Sequence, residues 1–267
     1  GKTMCMIEDV KRQFKSPVSK TIVVVAPRIL LANQLCSEFL EQNLDGNYNV
    51  GVAVAHVHSG ETHYFSTTNT TNITHWDSTN PHNHKLIFTT YHSLHKIQNS
   101  MVEVDTIYFD ESHNAVQKNF IEAVEYYSIY ASRCYFFTAT PKHSLTPFKV
   151  GMNDADVYGQ VICNVPAPKL VKQGYILPPK VKVFRSRILK KDELVAERDN
   201  EQMVGAIDNL DKNKVLICAK STRQIIGLIS QTDFVQQLAI RGYSYMFITS
   251  KTGAMIDGEK VDRETFF

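Results

Sequence analysis

The run TIVVVA (Thr21–Ala26) limits what this chain can fold into more than any other segment. Its six residues are all β-branched or small, and no polar residue alternates with them. This is the pattern of a strand that is buried on both faces of a sheet. Comparable apolar runs follow in the segments VGVAVAHV, KLIFTTY, VDTIYFD and RCYFFTAT. The first half of the chain therefore predicts a buried sheet.

Helical patterns separate these runs. The apolar stripes consist of Ile7, Val10 and Phe14 before the first strand, of Leu31, Leu35, Phe39 and Leu44 after it, and of Phe120, Ala123, Val124 and Tyr127 before the last one. Strands that alternate with helices predict an α/β fold with a parallel sheet and helices on both faces. Ligands of such sheets bind at the carboxyl ends of the strands. The polar residues that end each run are therefore the candidate functional residues.

The composition excludes several classes of protein. The chain has 267 residues, of which 43% are hydrophobic and 21% charged, as in a globular protein with room for two domains. The net charge of +2 means that any nucleic-acid surface must be local. The five cysteines form no C-x-x-C pair, and no apolar run is long enough to cross a membrane. We expect an intracellular protein without a membrane partner, in the cytoplasm of a prokaryote or of a virus-infected cell.

The chain begins with Gly1, Lys2 and Thr3, which match the last three positions of the phosphate loop G-x-x-x-x-G-K-[ST]. The helical pattern that follows is what such a loop requires, because free N–H groups at a helix start attract phosphate oxygens. Three residues also match by chance in many proteins. This segment alone therefore leaves both interpretations open.

Two adjacent carboxylates end one of the predicted strands. The segment VDTIYFDESH places Asp110 and Glu111 at the carboxyl end of an apolar run, and the next run ends with Thr138 and Thr140. In phosphate-loop enzymes such an Asp helps to hold Mg²⁺, and a neighbouring polar residue orients the attacking water. The alternative is a strand that ends in a solvated turn with an acidic cap.

The order of the strand ends resembles a known motif series. GKT, VVVAPR, TTYHSL, DESH and TATP follow one another as in the superfamily 2 helicases. The similarity is greatest to the DEAH-like branch of restriction-enzyme motor subunits and phage helicases. Five ordered motifs are far more specific than any one of them. YGQVICNVPAPKLVKQGYILPP resembles the connector of that branch, and KVLICAKSTRQI resembles the opening strand of its second motor domain.

The resemblance implies two RecA-like parallel-sheet motor domains. The first, residues 1–163, would lack its N-terminal phosphate-loop strand; a connector would span residues 164–180; and the second domain, residues 181–267, would be truncated at the C-terminus. In the second domain the sequence predicts a strand over KVLICA, one long helix over TRQIIGLISQTDFVQQLAIRGY and a strand over SYMFITS.

The resemblance also implies an ATP site with catalytic residues Lys2, Asp110, Glu111 and His113. Gly1, Lys2 and Thr3 would bind ATP, with Lys2 neutralising the β- and γ-phosphates. Thr3 and Asp110 would hold Mg²⁺, and Glu111 would orient or activate water. His113, Thr138 and Thr140 would couple the nucleotide state to the nucleic-acid track.

A second set of residues would contact the backbone of one nucleic-acid strand without reading its sequence. These residues are Pro27, Arg28, Thr89 and Thr90. The implied activity is that of an ATP-dependent helicase or translocase, with DNA favoured over RNA by analogy. The alternatives are an RNA helicase, the motor subunit of a restriction-type nuclease and a non-catalytic nucleic-acid-binding fragment. The earlier part of the phosphate loop and the late arginine motif are not in this sequence, so we expect weak nucleotide binding and negligible turnover from these residues alone.

The polar segment from His56 to Lys85 is rich in histidine, asparagine and threonine. Its six histidines match no zinc-ligand spacing, and no cysteine accompanies them. We expect an exposed loop in which the only tryptophan, Trp76, packs partly against the domain. The basic run KVKVFRSRILKK is interpreted as a solvated strand face, with contact to nucleic acid as the alternative.

Overall fold

The apolar runs of the first half form one parallel sheet. The structure is a computed structural model that describes residues 1–43, 51–146, 149–210, 214–249 and 253–262. The strands are β1 (Thr21–Ala26), β2 (Val52–Val57), β3 (Phe65–Ser66), β4 (His84–Thr90), β5 (Thr106–Phe109) and β6 (Arg133–Phe136). Their order across the sheet is β3-β2-β4-β1-β5-β6, and every pairing is parallel. The predicted α/β class and parallel sheet are confirmed.

Helices cover both faces of this sheet. They are α1 (Lys2–Gln13), α2 (Ile29–Asn43), α3 (Thr70–Ser78), α4 (Leu94–Asn99), α5 (Ile121–Tyr130) and α6 (Ala155–Tyr158). Consecutive residues of β1 point to opposite faces of the sheet. Val24 belongs to the core cluster with buried residues of α1 and α2, and Val25 belongs to the cluster with those of α3, α4 and α5. This double burial explains why β1 carries no polar alternation. Leu44, predicted in the stripe of α2, lies outside the described residues.

The segment after His56 is largely exposed and Trp76 packs against the domain, as predicted, but the prediction that the segment is a loop is wrong. The segment contains β3 and α3, and Ile73 and Trp76 are buried on one side of α3. The side chain of Asn69 caps this helix by accepting a hydrogen bond from the backbone N–H of Asn72 at 3.2 Å. Trp76 also stacks on Phe65, with 5.9 Å between the ring centroids. One cap and two apolar residues at helical spacing are enough to fold a segment that is otherwise polar.

The chain divides into two compact units, residues 1–164 and 165–267. The described elements of the second unit are α7 (Ala167–Lys172), α8 (Val195–Asp208), α9 (Thr222–Gln231), α10 (Phe234–Ile240), β7 (Met246–Thr249), β8 (Gly253–Ile256) and β9 (Glu259–Val261). Its three strands form an antiparallel sheet in the order β7-β8-β9. Its core consists of Ile207, Leu228, Phe234 and Leu238.

Three predictions for the second unit are wrong in detail. The basic run KVKVFRSRILKK lies within the described residues and is exposed as expected, but it forms no strand. The single long helix is two helices, α9 and α10, and at the break between them the hydroxyl oxygen of Thr232 accepts the backbone N–H of Phe234. The predicted strand over KVLICA does not form, since residues 214–219 pair with no strand among the described residues. The strand over SYMFITS forms as β7. Among the described residues, no helix has both the length and the apolar character that a membrane span requires.

Candidate functional site

The site lies where the start of α1 meets the carboxyl ends of β5 and β6. Met6, Ile7 and Val10 bury one side of α1 against the sheet. This packing directs the N-terminus of α1 towards the residues that follow β5. β5 and β6 are parallel neighbours, so their carboxyl ends lie at the same edge of the sheet. The polar residues after both strands are therefore brought together with the beginning of the chain.

Lys2 contacts both carboxylates that the sequence singled out. Its Nζ lies 2.5 Å from Oε1 of Glu111 and 3.8 Å from Oδ1 of Asp110. Gly1 is the residue that caps α1, and its carbonyl accepts the N–H of Cys5 at 3.2 Å. Thr3 lies in the first turn of the same helix and is half-buried. The N–H groups of a first helical turn have no partner within the helix. The site thus combines an ammonium group, a helix start and two carboxylates.

Asp110 is held by its backbone while its side chain is partly removed from water. Its N–H donates to the carbonyl of Val25 at 2.9 Å, and its carbonyl accepts the hydroxyl of Tyr91 at 2.8 Å. Burial raises the pKa of the Asp110 carboxyl above its ordinary value, and the neighbouring Lys2 ammonium opposes this shift. A carboxylate that burial makes costly is stabilised further by an added cation.

Glu111 has a left-handed backbone conformation, with φ 44° and ψ 50°. Few residues other than glycine adopt this conformation. Asn114 supports the turn, because its Nδ2 donates to the carbonyl of Glu111 at 2.9 Å. The turn ends β5 and leads into a short 3-10 helix, Ser112–Asn114. Within it the N–H of Ser112 donates to the carbonyl of Phe137 at 2.9 Å. These bonds fix the DESH segment to β6.

His113 joins the ends of β5 and β6. Its Nδ1 lies 3.1 Å from the hydroxyl of Thr138, 3.4 Å from that of Thr140 and 3.4 Å from Oε2 of Glu111. The Thr138 hydroxyl oxygen also accepts the N–H of Thr140 at 3.1 Å. A chain of contacts thus runs from Lys2 through Glu111 and His113 to the TATP segment.

The four residues assigned to a nucleic-acid strand follow two neighbouring strands of the sheet. Ala26 and Thr90 are paired in register, so Pro27 and Arg28 begin where Thr89 and Thr90 end. Arg28 is exposed at the start of α2. Thr89 and Thr90 are buried, and the Thr89 hydroxyl donates to the carbonyl of Val57 at 2.8 Å. Contact of these residues with nucleic acid stays a prediction, in which Arg28 is the side chain best placed to reach a ligand.

Sequence reasoning assigned no supporting role to two residues of the site, Tyr91 at the end of its strand and Asn114. Both lie directly beside motif residues, Tyr91 within TTYHSL and Asn114 after DESH. Their polar groups bind backbone carbonyls of Asp110 and Glu111. The only signal in the sequence was their adjacency to the motifs, because a bond to a distant carbonyl leaves no pattern of its own.

The donor groups fit a magnesium nucleotide. Mg²⁺ in nucleotide sites takes one or two protein ligands, such as a carboxylate or hydroxyl, with phosphate oxygens and water supplying the rest. Asp110 and Thr3 are groups of these kinds, and Lys2 and the start of α1 are suited to phosphate. No cluster of three or more His, Cys, Asp or Glu side chains suited to a metal ion occurs in the described part of the chain.

The histidine-rich segment has a different organisation. His56 and His58 are buried, with Nδ1 of His56 lying 2.9 Å from Nε2 of His58. The latter nitrogen is also 3.1 Å from Oδ1 of Asn33 in α2, and Nδ1 of His58 accepts the N–H of Gly60 at 3.1 Å. Burial lowers the pKa of both histidines, for His56 to about 4. The pair joins β2 to α2 as neutral rings.

Comparison with known proteins bears on the first unit. Residues 1–143 match the family model of the Type III restriction enzyme, res subunit. A search of curated protein sequences gives no match. Among solved structures, a nuclease-deletion mutant of the Type ISP restriction-modification enzyme LlaGI, in complex with a DNA substrate mimic, aligns with a TM-score of 0.53 and 19% identity. That alignment covers 78% of this chain and 19% of the LlaGI chain.

A second solved structure is the ATP-dependent Type ISP restriction-modification enzyme LlaBIII bound to DNA, with a TM-score of 0.47 and 19% identity. That alignment covers 65% of this chain and 14% of the LlaBIII chain. The chain thus spans less than a fifth of the length of either enzyme. At this identity the LlaGI alignment shows a shared fold. The family match covers more than half of the chain, and with it the order of the five motifs is explained. The chain belongs to the Type III restriction enzyme res-subunit family of superfamily 2 helicases.

Proposed function

We propose that this chain carries the ATP site of a restriction-type motor that couples hydrolysis of Mg-ATP to movement along DNA. The observation that carries the proposal is the convergence of Lys2, Asp110 and Glu111 at the start of α1. Side chains more than a hundred residues apart in sequence meet beside a helix start, and an ammonium group with two carboxylates is a set of groups that phosphoryl transfer to water can use. Such catalysis depends on positioning and on charge stabilisation rather than on covalent chemistry.

In the proposed mechanism, Lys2 exchanges partners when nucleotide binds. Its ammonium pairs with Glu111 in the structure described here, and the β- and γ-phosphates would compete for the same charge. The first turn of α1 offers N–H groups to those phosphates. Release from Lys2 would leave Glu111 able to orient a water molecule and to accept its proton. Thr3 and Asp110 would hold Mg²⁺, which when bound neutralises charge on the phosphates.

His113 would then couple the binding of nucleotide at this site to the end of β6. It touches Glu111 on one side and the hydroxyls of Thr138 and Thr140 on the other. A change in the position of Glu111 would alter the contacts of His113, and His113 would in turn shift the threonine side chains that follow β6. We assign the ATP-binding domain to residues 1–163, the connector to residues 164–180 and the start of the second motor domain to residues 181–267.

DNA is favoured over RNA as the track. The family is that of restriction enzymes, and the LlaGI structure is a complex with a DNA substrate mimic. The net charge of +2 requires that contact with a polyanion be local. Arg28, exposed beside the ends of β1 and β4, is the first candidate for such a contact. Pro27, Thr89 and Thr90 complete the proposed strand-contacting edge.

The test is ATP hydrolysis by the gene product that contains these residues, measured alone and with single-stranded DNA, double-stranded DNA and RNA. We expect stimulation by DNA, and a loss of about 100-fold or more with Glu111→Gln, as for removal of a catalytic base. Glu122→Gln is the matched control, because Glu122 is exposed on α5. Stimulation by RNA alone would mean that the motor moves along RNA and not along DNA. If nucleic acid binds without turnover and Glu111→Gln leaves binding unchanged, a non-catalytic binding module is the correct interpretation.

A further inference from the structure

A polar network lies between α1 and β5, behind the ATP site. The hydroxyl of Tyr108 donates to Oδ2 of Asp9 at 2.5 Å. Nε2 of Gln13 donates to the same oxygen at 2.9 Å and to the Tyr108 hydroxyl oxygen at 3.1 Å. The hydroxyl of Thr106 donates to Oε1 of Gln13 at 2.8 Å. Two residues of the helix are thus bonded to two residues of the strand.

The network is closed, and each bond fixes the direction of the others. The Asp9 carboxylate oxygen and the Tyr108 oxygen lie next to each other and share the amide group of Gln13 as donor, while the Gln13 carbonyl accepts the hydroxyl of Thr106. Tyr108 and Thr106 are buried, each only 1% exposed. A buried polar group without its partner costs about 1–3 kcal/mol. The four bonds link these side chains in a single register of α1 against β5, and a shift of the helix would break them.

Both ends of the network lead to the ATP site. Asp9 is seven residues after Lys2, two turns or about 10 Å along the helix axis. Tyr108 is two residues before Asp110 on the same chain segment. A shift of α1 by one residue would rotate its side chains by about 100° and carry Lys2 away from the carboxylates. The apolar contacts of Ile7 and Val10 hold α1 on the sheet but are not directional.

Burial and packing keep the Tyr108 hydroxyl available for this task. Its ring stacks on Tyr135 of β6, with centroids 5.7 Å apart and planes 13° apart. Burial, followed by the bond to Asp9, raises the pKa of Tyr108 far above its ordinary value. The hydroxyl therefore remains a hydrogen-bond donor to Asp9 at physiological pH.

We infer that Asp9 and Tyr108, with Gln13 and Thr106, are positioning residues that set the location of Lys2 relative to Asp110 and Glu111. Their significance for ATP turnover rests on the proposed function. The hydrogen bonds of the network do not depend on that function. The location of Lys2 and the rate of ATP turnover are therefore tested separately. A displacement of about 1 Å in a catalytic group can cost about 100-fold in rate, so a network of this kind controls activity without touching the nucleotide.

The first measurement is the rate at which an amine-reactive N-hydroxysuccinimide ester acylates Lys2, followed by peptide mass spectrometry on the 267-residue chain. The ion pair with Glu111 slows this reaction in the unmodified chain, and Glu111→Gln serves as the positive control. We expect Tyr108→Phe and Asp9→Ala each to accelerate acylation of Lys2 by at least about fivefold, the size expected for the loss of one hydrogen bond. Tyr135→Phe removes a hydroxyl from the adjacent ring outside the network, and we expect no acceleration.

A double variant separates a coupled pair from general loosening. Asp9→Ala combined with Tyr108→Phe should accelerate the reaction by less than the product of the two single effects, because both changes remove the bond between Tyr108 and Asp9. The inference is wrong if Tyr108→Phe leaves the Lys2 rate unchanged while Glu111→Gln raises it, or if Tyr135→Phe raises it equally. In the gene product that hydrolyses ATP, Tyr108→Phe should lower kcat. Accelerated acylation in a protein without any turnover would support the network and contradict the proposed function.

Discussion

The ammonium group of Lys2 lies 2.5 Å from the carboxylate of Glu111, which is 109 residues later in the chain. Both side chains are about one-third exposed. An ion pair in such a setting contributes at most about 1 kcal/mol to folding. The pair is therefore more significant for where it places two charged groups than for the stability that it adds. In this pair Glu111 competes with phosphate for the ammonium group of Lys2, and Lys2 competes with water for the carboxylate of Glu111.

Replacement of Lys2 should separate stability from nucleotide binding. We expect Lys2→Met to change the free energy of unfolding by less than about 1 kcal/mol, because the lost ion pair is partly exposed. Affinity for Mg-ATP should fall by at least about tenfold, since the phosphates lose their ammonium partner. Urea unfolding and titration with a fluorescent ATP analogue measure the two effects. A large loss of stability with unchanged affinity would contradict the assignment of Lys2.

Asp110→Asn should stabilise the protein without nucleotide. The raised pKa of Asp110 means that the folded state holds its proton more tightly than the unfolded state, so this stabilisation is present at low pH and is lost as pH rises. At pH 7 the carboxylate is therefore unfavourable, and the neutral amide removes that cost. We expect a higher midpoint of urea unfolding at pH 7, a smaller difference at pH 4.5, and no Mg²⁺-dependent nucleotide binding. Equal gains at both pH values would show that the charge is not the cause.

The buried pair of His56 and His58 should make stability depend on pH. The pKa of each is lowered by burial, so the unfolded chain binds protons first as pH falls below about 6.5. The contribution of His56 is then present above pH 6.5 and is lost progressively towards its folded pKa of about 4. Each histidine lowers the free energy of unfolding by at most about 1.4 kcal/mol per pH unit. His56→Gln should flatten this profile, and the exposed His82→Gln should not.

Tyr127→Phe and Tyr108→Phe should have opposite effects on stability. The Tyr127 hydroxyl is buried and finds no hydrogen-bond partner within the part of the chain that the structure describes. Its removal leaves no orphaned group, so we expect stability to stay the same or to rise by up to about 1 kcal/mol. Tyr108→Phe removes one of the two donors to Asp9, and we expect a loss of about 1–2 kcal/mol. Chemical denaturation of both variants provides the comparison. A loss with Tyr127→Phe would mean that its hydroxyl has a partner.

The sequence predicts the first unit well because its strands are buried on both faces. The bounds predicted from TIVVVA are those of β1, since an uninterrupted β-branched run has few other stable environments. The polar segment containing α3 was misjudged because two buried residues, Ile73 and Trp76, decide its structure within a largely polar context. In the second unit, the apolar run of KVLICA predicts a strand. A strand forms only where another strand pairs with it, and a local pattern cannot supply that information.

In the candidate site, too, some residues could be predicted from the sequence and others could not. The resemblance to helicases predicts that Lys2, Asp110 and Glu111 share one site, and the Lys2 ammonium lies within 4 Å of both carboxylates. The supporting bonds from Tyr91 and Asn114, and the network of Asp9 with Tyr108, could not be predicted. Each depends on which side chain of one element faces which group of another, and this is set by the packing of α1, β5 and β6 rather than by spacing along the chain.

The left-handed turn at Glu111 also determines how two neighbouring acids can share one cation. Consecutive residues of an extended strand face opposite sides of the sheet, so an ordinary strand would send Asp110 and Glu111 apart. The reversal of φ at Glu111 cancels that alternation, and both carboxylates come within 4 Å of the same ammonium. Glycine would adopt this backbone conformation at less cost, but it carries no carboxylate. A less favourable backbone conformation at one residue thus allows two consecutive carboxylates to act on the same cation.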